Sequence, residues 1–316
     1  MANIIDELKK KITGQNINIV FPEGQDERVV KAINQLSKEK LINPIVVGPV
    51  LDQLDASVQV FDPQTSELKD EMLKAFQARR PGKHSDEEVQ KLLQDETYFA
   101  TMLVYMGMAD GLVSGAAHST GDTVRPALQI IKTKPGISRA FGYFLMIRES
   151  EKYLMGDCAI NPNPSSEDLA QFALELYQVA PTYGIDPKVA LLSFSTHGSA
   201  KTEETEKVRK AVEIAVAQNP KAFIDGEMQF DAAFVPSVGK SKYPGSNVAG
   251  QANVFVFPTL DAGNIGYKMV ERLGGFSAVG PILAGLNQPV NDLSRGCSIE
   301  DVYALSIITA AQSLSK

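Results

Sequence analysis

Between Asn291 and Asp301 the chain reads Asn-Asp-Leu-Ser-Arg-Gly-Cys-Ser-Ile-Glu-Asp. A hydroxyl (Ser294), a guanidinium (Arg295), a thiol (Cys297) and two carboxylates (Glu300, Asp301) fall together at what reads as one loop-to-helix junction. Ser298 has the place of a helix N-cap and Asp301 follows three residues later, the spacing of a capping box with Asp instead of Glu or Gln. Val302, Leu305, Ile308 and Ala311 then share one helix face. A helix N-terminus offers free N–H groups and a partial positive charge. Arg295 adds a planar fork matched to phosphate or carboxylate. The combination points to chemistry on a phosphate without a nucleotide P-loop. Asp301 reads first as a cap, and a capping carboxylate can also serve as a base if the loop brings it a proton donor.

Three more polar turns follow short apolar runs: Pro22-Glu23-Gly24-Gln25, Ser114-Gly115-Ala116-Ala117-His118-Ser119-Thr120 and Ser195-Thr196-His197-Gly198-Ser199. In open parallel sheets ligands bind beyond the carboxyl ends of the strands. Ser114, Thr120, Ser195, Thr196 and Ser199 are therefore binding candidates. Four arginines join Arg295. Arg28 follows the first turn, and Arg125 lies beside Thr123 at a helix start, where the pair suits an anion. Arg79 and Arg80 open a basic run to His84 that closes a helix, and favourable charge at a helix C-terminus explains that run equally well. His118 and His197 read as hydrogen-bonding turn residues, and Cys158 and Cys297 as small packed ones.

Alternating strand and helix patterns must position these groups. Ile4, Leu8 and Ile12 mark a first helix, 18–21 a strand, and Val29, Val30, Ile33 and Leu36 a second helix face. Strands are expected over 44–48, 111–115, 189–194 and 253–258, with helices at 85–106, from about 122, around 169–179, at 202–217 and after 261. The segments 140–148 and 153–160 read as a β-pair and interrupt the alternation, which makes them the best internal boundary. Strands separated by helices imply an α/β fold with a mostly parallel sheet.

The 316 residues suffice for two domains, with 44% hydrophobic and 22% charged residues as in a soluble globular protein. A net charge of −7 argues against a general nucleic-acid or membrane surface, so an anionic substrate must meet local arginines. No apolar run approaches the roughly 20 residues needed to span a bilayer. Two cysteines and a polar N-terminal helix in place of a signal peptide lead us to expect a cytoplasmic protein. GxGxxG, HExxH, CxxC and GxSxG do not occur, and Gly239-Lys240-Ser241 lacks the first glycine of a Walker motif, since position 234 is Phe234.

Taken together, several long stretches resemble the phosphate acetyltransferase family in its short form, without an added regulatory domain. They are Phe21-Pro22-Glu23, Ala109–Gly115, Asp122–Gln129, Leu192–Thr196, Asp225-Gly226-Glu227, Ala262–Lys268 and the Asn291–Cys297 loop. The resemblance runs from about Phe21 to the C-terminus. It implies two α/β/α domains like those of isocitrate and isopropylmalate dehydrogenases, one from 1–137 with 288–316 and the other from 138–287. It also implies an active site in the cleft between them and a homodimer. The implied reaction is reversible: acetyl-CoA and phosphate give acetyl phosphate and CoA. Coenzyme A is then a substrate, with no permanent cofactor and no metal. The resemblance makes Asp301 the base and gives Arg295 the phosphoryl group. It has Ser294 orient the carbonyl, and Arg125, Arg28 and one of Arg79 and Arg80 contact phosphate or CoA. Closure around Asp301 would desolvate it and raise its proton affinity. A phosphate butyryltransferase is the nearest alternative. A metal- and NAD-dependent decarboxylating dehydrogenase of the same fold is a more distant one, for which no cluster of metal-binding aspartates is found.

Overall fold

Most helices in this chain start where a short hydroxyl or carboxylate side chain takes up the first free N–H groups. The computed structural model describes residues 2–314. From the N-terminus come α1 (Ala2–Ile12), β1 (Asn18–Phe21), α2 (Glu27–Lys38), β2 (Asn43–Val47), β3 (Gln59–Phe61), α3 (Lys69–Arg79), α4 (Asp86–Leu92), α5 (Glu96–Tyr105), β4 (Gly111–Ser114) and α6 (Thr120–Pro126). The last of these runs into a π-helical turn, Ala127–Ile131. Next come β5 (Phe141–Arg148), β6 (Glu151–Gly156), α7 (Ser166–Val179), β7 (Val189–Leu192), α8 (Glu203–Gln218), β8 (Ile224–Met228), α9 (Phe230–Phe234), α10 (Pro236–Lys242), β9 (Val254–Val256), α11 (Leu260–Gly274) and β10 (Ser277–Ala284). The chain returns with β11 (Val290–Asp292) and α12 (Ile299–Ser313). Ser85, Ser119, Ser165, Thr202 and Ser298 each close a capping box at α4, α6, α7, α8 and α12.

The fold is mixed α/β with mostly parallel sheets, and the chain divides into two compact units. A terminal unit comprises Ala2–Pro135 and the stretch from Leu286 onward, and a middle unit comprises Gly136–Gly285. In the terminal unit the strand order is β11-β4-β1-β2-β3, with every pair parallel. The carboxyl ends of β11, β4 and β1 therefore leave the sheet side by side. All four residues of β4 are buried, as expected of a strand covered on both faces. Helix α12 is buried from Val302 to Ala311 on every side, packed against α1, α2 and β4. Its register is pinned where Asn291 Nδ2 donates to Thr309 Oγ1 (2.8 Å) and Gln312 Oε1 (2.6 Å). The middle unit holds a six-stranded sheet, β10-β5-β6-β9-β7-β8. The segments read as an interrupting β-pair are β5 and β6, antiparallel to each other, with β10 antiparallel to β5 and the other pairs parallel.

Two expected elements are corrected. The single helix over 85–106 is two helices, because Asp95 caps a fresh start by accepting from Thr97 N and Tyr98 N. The second strand of the pair ends at Gly156, not Ile160, because the Asp157 carboxylate turns the chain. Asp157 accepts from the backbone N–H groups of Gly142, Ala159, Ile160 and Asn161 and from the Asn161 side chain. Helix α11 docks on that turn through Gly263, where an added Cβ would lie 2.1 Å from the Asp157 carbonyl oxygen. Gly263→Ala is therefore expected to destabilise the protein by about 2 kcal/mol or more, through forced separation of helix and turn. Urea unfolding at neutral pH checks it, and an unchanged midpoint would contradict the packing argument.

Candidate functional site

The loop from Leu293 to Ser298 joins β11 to α12, and its shape comes from both ends. At the helix end Asp301 Oδ2 accepts from Ser298 N (2.8 Å) and Ser298 Oγ (2.9 Å), while Ser298 Oγ accepts from Asp301 N (3.1 Å). Asp301 Oδ1 has no hydrogen-bond partner among the described residues. At the strand end Leu293 N donates to the Ser114 carbonyl (2.6 Å), and inside the loop Cys297 N donates to the Ser294 carbonyl (2.9 Å). Ser294 and Arg295 stand exposed at the tip. Cys297 faces inward, and burial pushes its thiol pKa up to about 11, so it packs and does not attack. Cys158 is likewise buried, with burial driving its pKa well above the usual value.

Arg28 holds this loop in place. Its Nε and Nη2 grip both oxygens of Asp26, its Nη1 donates to the carbonyls of Arg295 (2.8 Å) and Cys297 (2.9 Å), and its Nη2 also donates to the carbonyl of Ala116. These five bonds use all five N–H donors of a guanidinium. Arg28 was expected to contact a ligand. Here it has no donor left for one and acts by fixing the backbone on either side of Gly296.

The Ser114–Thr120 turn is also occupied from within. The carboxylate of Glu23, buried at the exit of β1, accepts from the backbone N–H groups of Gly115, Ala116, Ala117 and His118, and lies 2.8 Å from His118 Nδ1. Burial disfavours its charged form, but the His118 ring and the turn amides outweigh burial, and its pKa lies below the usual range. The same contact raises the pKa of His118. The turn that looks ready for an exogenous anion already binds an internal one. A neighbouring cavity of about 270 Å³ is lined by Glu23, Asp26 and Glu96, which makes it unsuited to phosphate.

The remaining arginines divide by what they already hold. Arg79 donates to the carbonyls of Ile130 (2.6 Å) and Ile131 (2.7 Å) and stacks over Tyr105, so it closes the π-turn after α6. Arg80 makes one long bond, to the Gln129 carbonyl (3.3 Å), and its buried Nε has no partner among the described residues. Arg125 is 62% exposed, and among the described residues its one ion-pair contact is Asp122 at 4.0 Å. Arg80 and Arg125 both lie near the Tyr98 hydroxyl: burial raises the Tyr98 pKa, and these two charges pull it down. Arg80, Arg125 and exposed Thr120 are thus the groups of this region able to receive an anion, together with Arg295 and Ser294.

In the middle unit the Ser195–Ser199 turn repeats the internal arrangement. Ser195 Oγ donates to Glu227 Oε1 (2.8 Å) and contacts Ser199 Oγ, while Gly198 N donates to the same Glu227 oxygen. Thr196 Oγ1 bonds Gln229. Ser195 and Thr196 are buried, so their hydroxyls complete a turn around Glu227, and only Ser199 stays exposed. Among the described residues no group of three or more His, Cys, Asp or Glu side chains is placed to hold a metal.

Residue-by-residue reading singled out neither Glu23 nor Glu227 for a role, although both lie in the motifs quoted above. It also passed over Asp292, the last residue of β11. Asp292 is 1% exposed and neither carboxylate oxygen has a hydrogen-bond partner among the described residues. Ser114 Oγ and Thr123 Oγ1, also fully buried, likewise make no hydrogen bond of good geometry among the described residues. Burial pushes the Asp292 pKa up to about 6, against the nearby Thr120 and Thr123 hydroxyls and with the Glu23 charge. The only signal in the sequence was a carboxylate two residues before the Ser294–Arg295 pair.

Residues 3–310 match the family model described as phosphate acetyl/butaryl transferase. The phosphate acetyltransferase of Staphylococcus aureus strain Mu50 is 58% identical, with 99% of this chain and 100% of that protein covered. That of Bacillus subtilis strain 168 is 55% identical, with the same coverage. A crystal structure of a phosphotransacetylase from Streptococcus pyogenes superposes with a TM-score of 0.96 at 53% identity, covering 100% of this chain and 99% of that one.

The buried Asp292 has a consequence for stability. A carboxyl whose pKa is raised on folding costs nothing below its unfolded value near 4, and the cost grows as pH rises to its folded value of about 6. The full penalty above that range is about 3 kcal/mol, at roughly 1.4 kcal/mol per tenfold in proton affinity. Asp292→Asn is therefore expected to gain stability relative to wild type by up to that amount between pH 4 and 7. Denaturant midpoints across that range measure it, and a gap constant with pH would refute it.

Proposed function

The chain belongs to the phosphate acetyl/butaryl transferase family, and we propose that it transfers an acetyl group reversibly between coenzyme A and inorganic phosphate. The observation that carries this reading is the Ser294–Arg295 tip, exposed and held by the saturated Arg28, in a chain 58% identical to a phosphate acetyltransferase over its length. Coenzyme A is a substrate in this reading, and phosphate or acetyl phosphate is the other.

In the thioester-forming direction the sulfur of CoA attacks the carbonyl carbon of acetyl phosphate. The C–S bond forms, the C–O bond to phosphate breaks, and the thiol proton ends on the released phosphate. Thiols ionise above neutrality, so a base is needed. Asp301 takes that role through Oδ1, since Oδ2 is held by the cap. Arg295 meets the phosphoryl oxygens with its fork, and Ser294 orients the carbonyl. Arg80 and Arg125 receive the remaining phosphate charge, Arg80 in preference to Arg79 because the latter is engaged with backbone carbonyls. Arg28 acts by holding the loop. Among the described residues no helix is long and apolar enough to cross a membrane, and the reading places the enzyme in the cytoplasm. On α11, Ile265, Met269 and Leu273 form an apolar stripe with 57%, 53% and 82% exposure, which suits contact with a second copy in a homodimer.

The test is thioester formation from acetyl phosphate and CoA, followed by absorbance, with butyryl phosphate in parallel. Rapid acetyl transfer inhibited by phosphate is expected, and its absence from folded protein would overturn the reading. Asp301→Asn should lower kcat about a hundredfold or more, and near-normal turnover would leave Asp301 a cap alone. Arg295→Lys should cost about a hundredfold, since a point charge does not replace the fork. Arg80→Ala should raise KM, whereas Arg79→Ala should chiefly lower the unfolding midpoint. The reverse pattern would exchange their roles.

A further inference from the structure

Four buried carboxylates lie at strand exits, and three of them are held by the turns around them, Glu227 through Oε1 alone, with Arg209 Nε 3.7 Å from its Oε2. Glu23 and Asp157 each collect backbone N–H groups, and Glu227 takes a hydroxyl and an N–H. Among the described residues Asp292 is the one of the four in which neither oxygen accepts a hydrogen bond or faces a cation. It ends β11 in register with Ser114, the end of β4, and two residues before Ser294. Gly115 makes room for it: an added Cβ there would lie 2.4 Å from Asp292 Oδ1 and 2.6 Å from Leu293 N. Thr120 and Thr123, one turn apart on α6, complete its surroundings.

We propose that Asp292 is a positioning residue for the acyl-phosphate site, tying the β11 exit that carries Ser294 and Arg295 to the first turn of α6 that carries Thr120 and Arg125. Three buried groups that make no hydrogen bond of good geometry among the described residues, the Asp292 carboxyl and the Ser114 and Thr123 hydroxyls, lie where these two segments meet: Ser114 is the register partner of Asp292, and the Thr120 and Thr123 hydroxyls are close enough to favour its charged form. As an acid the Asp292 side chain can donate to a hydroxyl and accept from another, which a carboxylate cannot do. Glu23 is the charged group that faces it, and its partner is His118. From α6 the Thr120 and Thr123 hydroxyls act on it, and on β4 its register partner is Ser114. On α12, Thr309 and Gln312 meet the preceding Asn291. Arg125 lies further along α6 and is exposed. A phosphate dianion bound at Arg295 and Arg125 therefore favours the protonated form of Asp292, and by reciprocity the protonated form binds the anion better.

This inference rests on the acyl-transfer reading, so its test combines a turnover measurement with one that needs no turnover. In the first, KM for acetyl phosphate is measured from pH 5.5 to 8. For wild type it should rise about fivefold or more with pH, and for Asp292→Asn and Thr123→Val it should lose that dependence, with KM for acetyl phosphate changed more than kcat. A pH profile unchanged by both variants overturns the proposal. In the second, the carboxylic-acid infrared band of wild type minus Asp292→Asn is titrated with and without inorganic phosphate. The midpoint should lie near 6 without phosphate and rise by about 0.7 pH units with it, the equivalent of a fivefold coupling. A band indifferent to phosphate, in a protein that does form thioester, overturns the positioning role alone. A phosphate-sensitive band in a protein that forms none keeps Asp292 beside an anion site and sinks the proposed reaction alone.

Discussion

Parallel sheets end in turns whose N–H groups have left the ladder and not yet entered a helix, and each such donor must find an acceptor. This chain meets the requirement with buried carboxylates placed one strand over. Glu23 leaves β1 and takes the amides of the turn after β4, Glu227 at the end of β8 takes a serine hydroxyl and an amide of the turn after β7, and Asp157 wraps the turn after β6. The Glu23 and Glu227 contacts join segments 29 to 95 residues apart, so the strand order and the turn shapes hold each other, whereas Asp157 shapes its own turn and reaches across to Gly142 of β5. A charge buried this way is tolerable because several N–H groups replace its water.

The same device decides which polar groups remain for function. Turns rich in glycine and hydroxyls ordinarily invite an external anion. Here two of them are filled internally, and the Ser195 and Thr196 hydroxyls are spent on the filling. What is left exposed in the terminal unit is a small set: Ser294 and Arg295 at the loop tip, Thr120 and Arg125 on α6, and the partly engaged Arg80. Arg28 completes the division, since its five bonds make it a fastener between the β1, β4 and β11 exits. A loop anchored at both ends that presents one guanidinium and one hydroxyl offers preorganised donors to a developing negative charge. Asp292 lies directly beneath that loop and departs from the pattern of the other carboxylates.

The sequence by itself determined the alternation of strands and helices, the Ser298–Asp301 cap, the antiparallel interruption after 140 and the Ser294–Arg295 pair, because periodicity and capping are local properties. It did not show that 85–106 breaks at Asp95, because a cap inside a long apolar pattern shows only when the N–H groups it serves are seen. Nor did it separate Arg79 from Arg80, or Arg28 as fastener from Arg28 as ligand contact. Those roles depend on carbonyl oxygens supplied by Ile130 and Ile131 in one case and by Ala116, Arg295 and Cys297 in the other. Residue type states what a side chain can bond. Which donors are already used is settled by tertiary structure alone, since the acceptor carbonyls come from loops and turns 51 to 269 residues away along the chain.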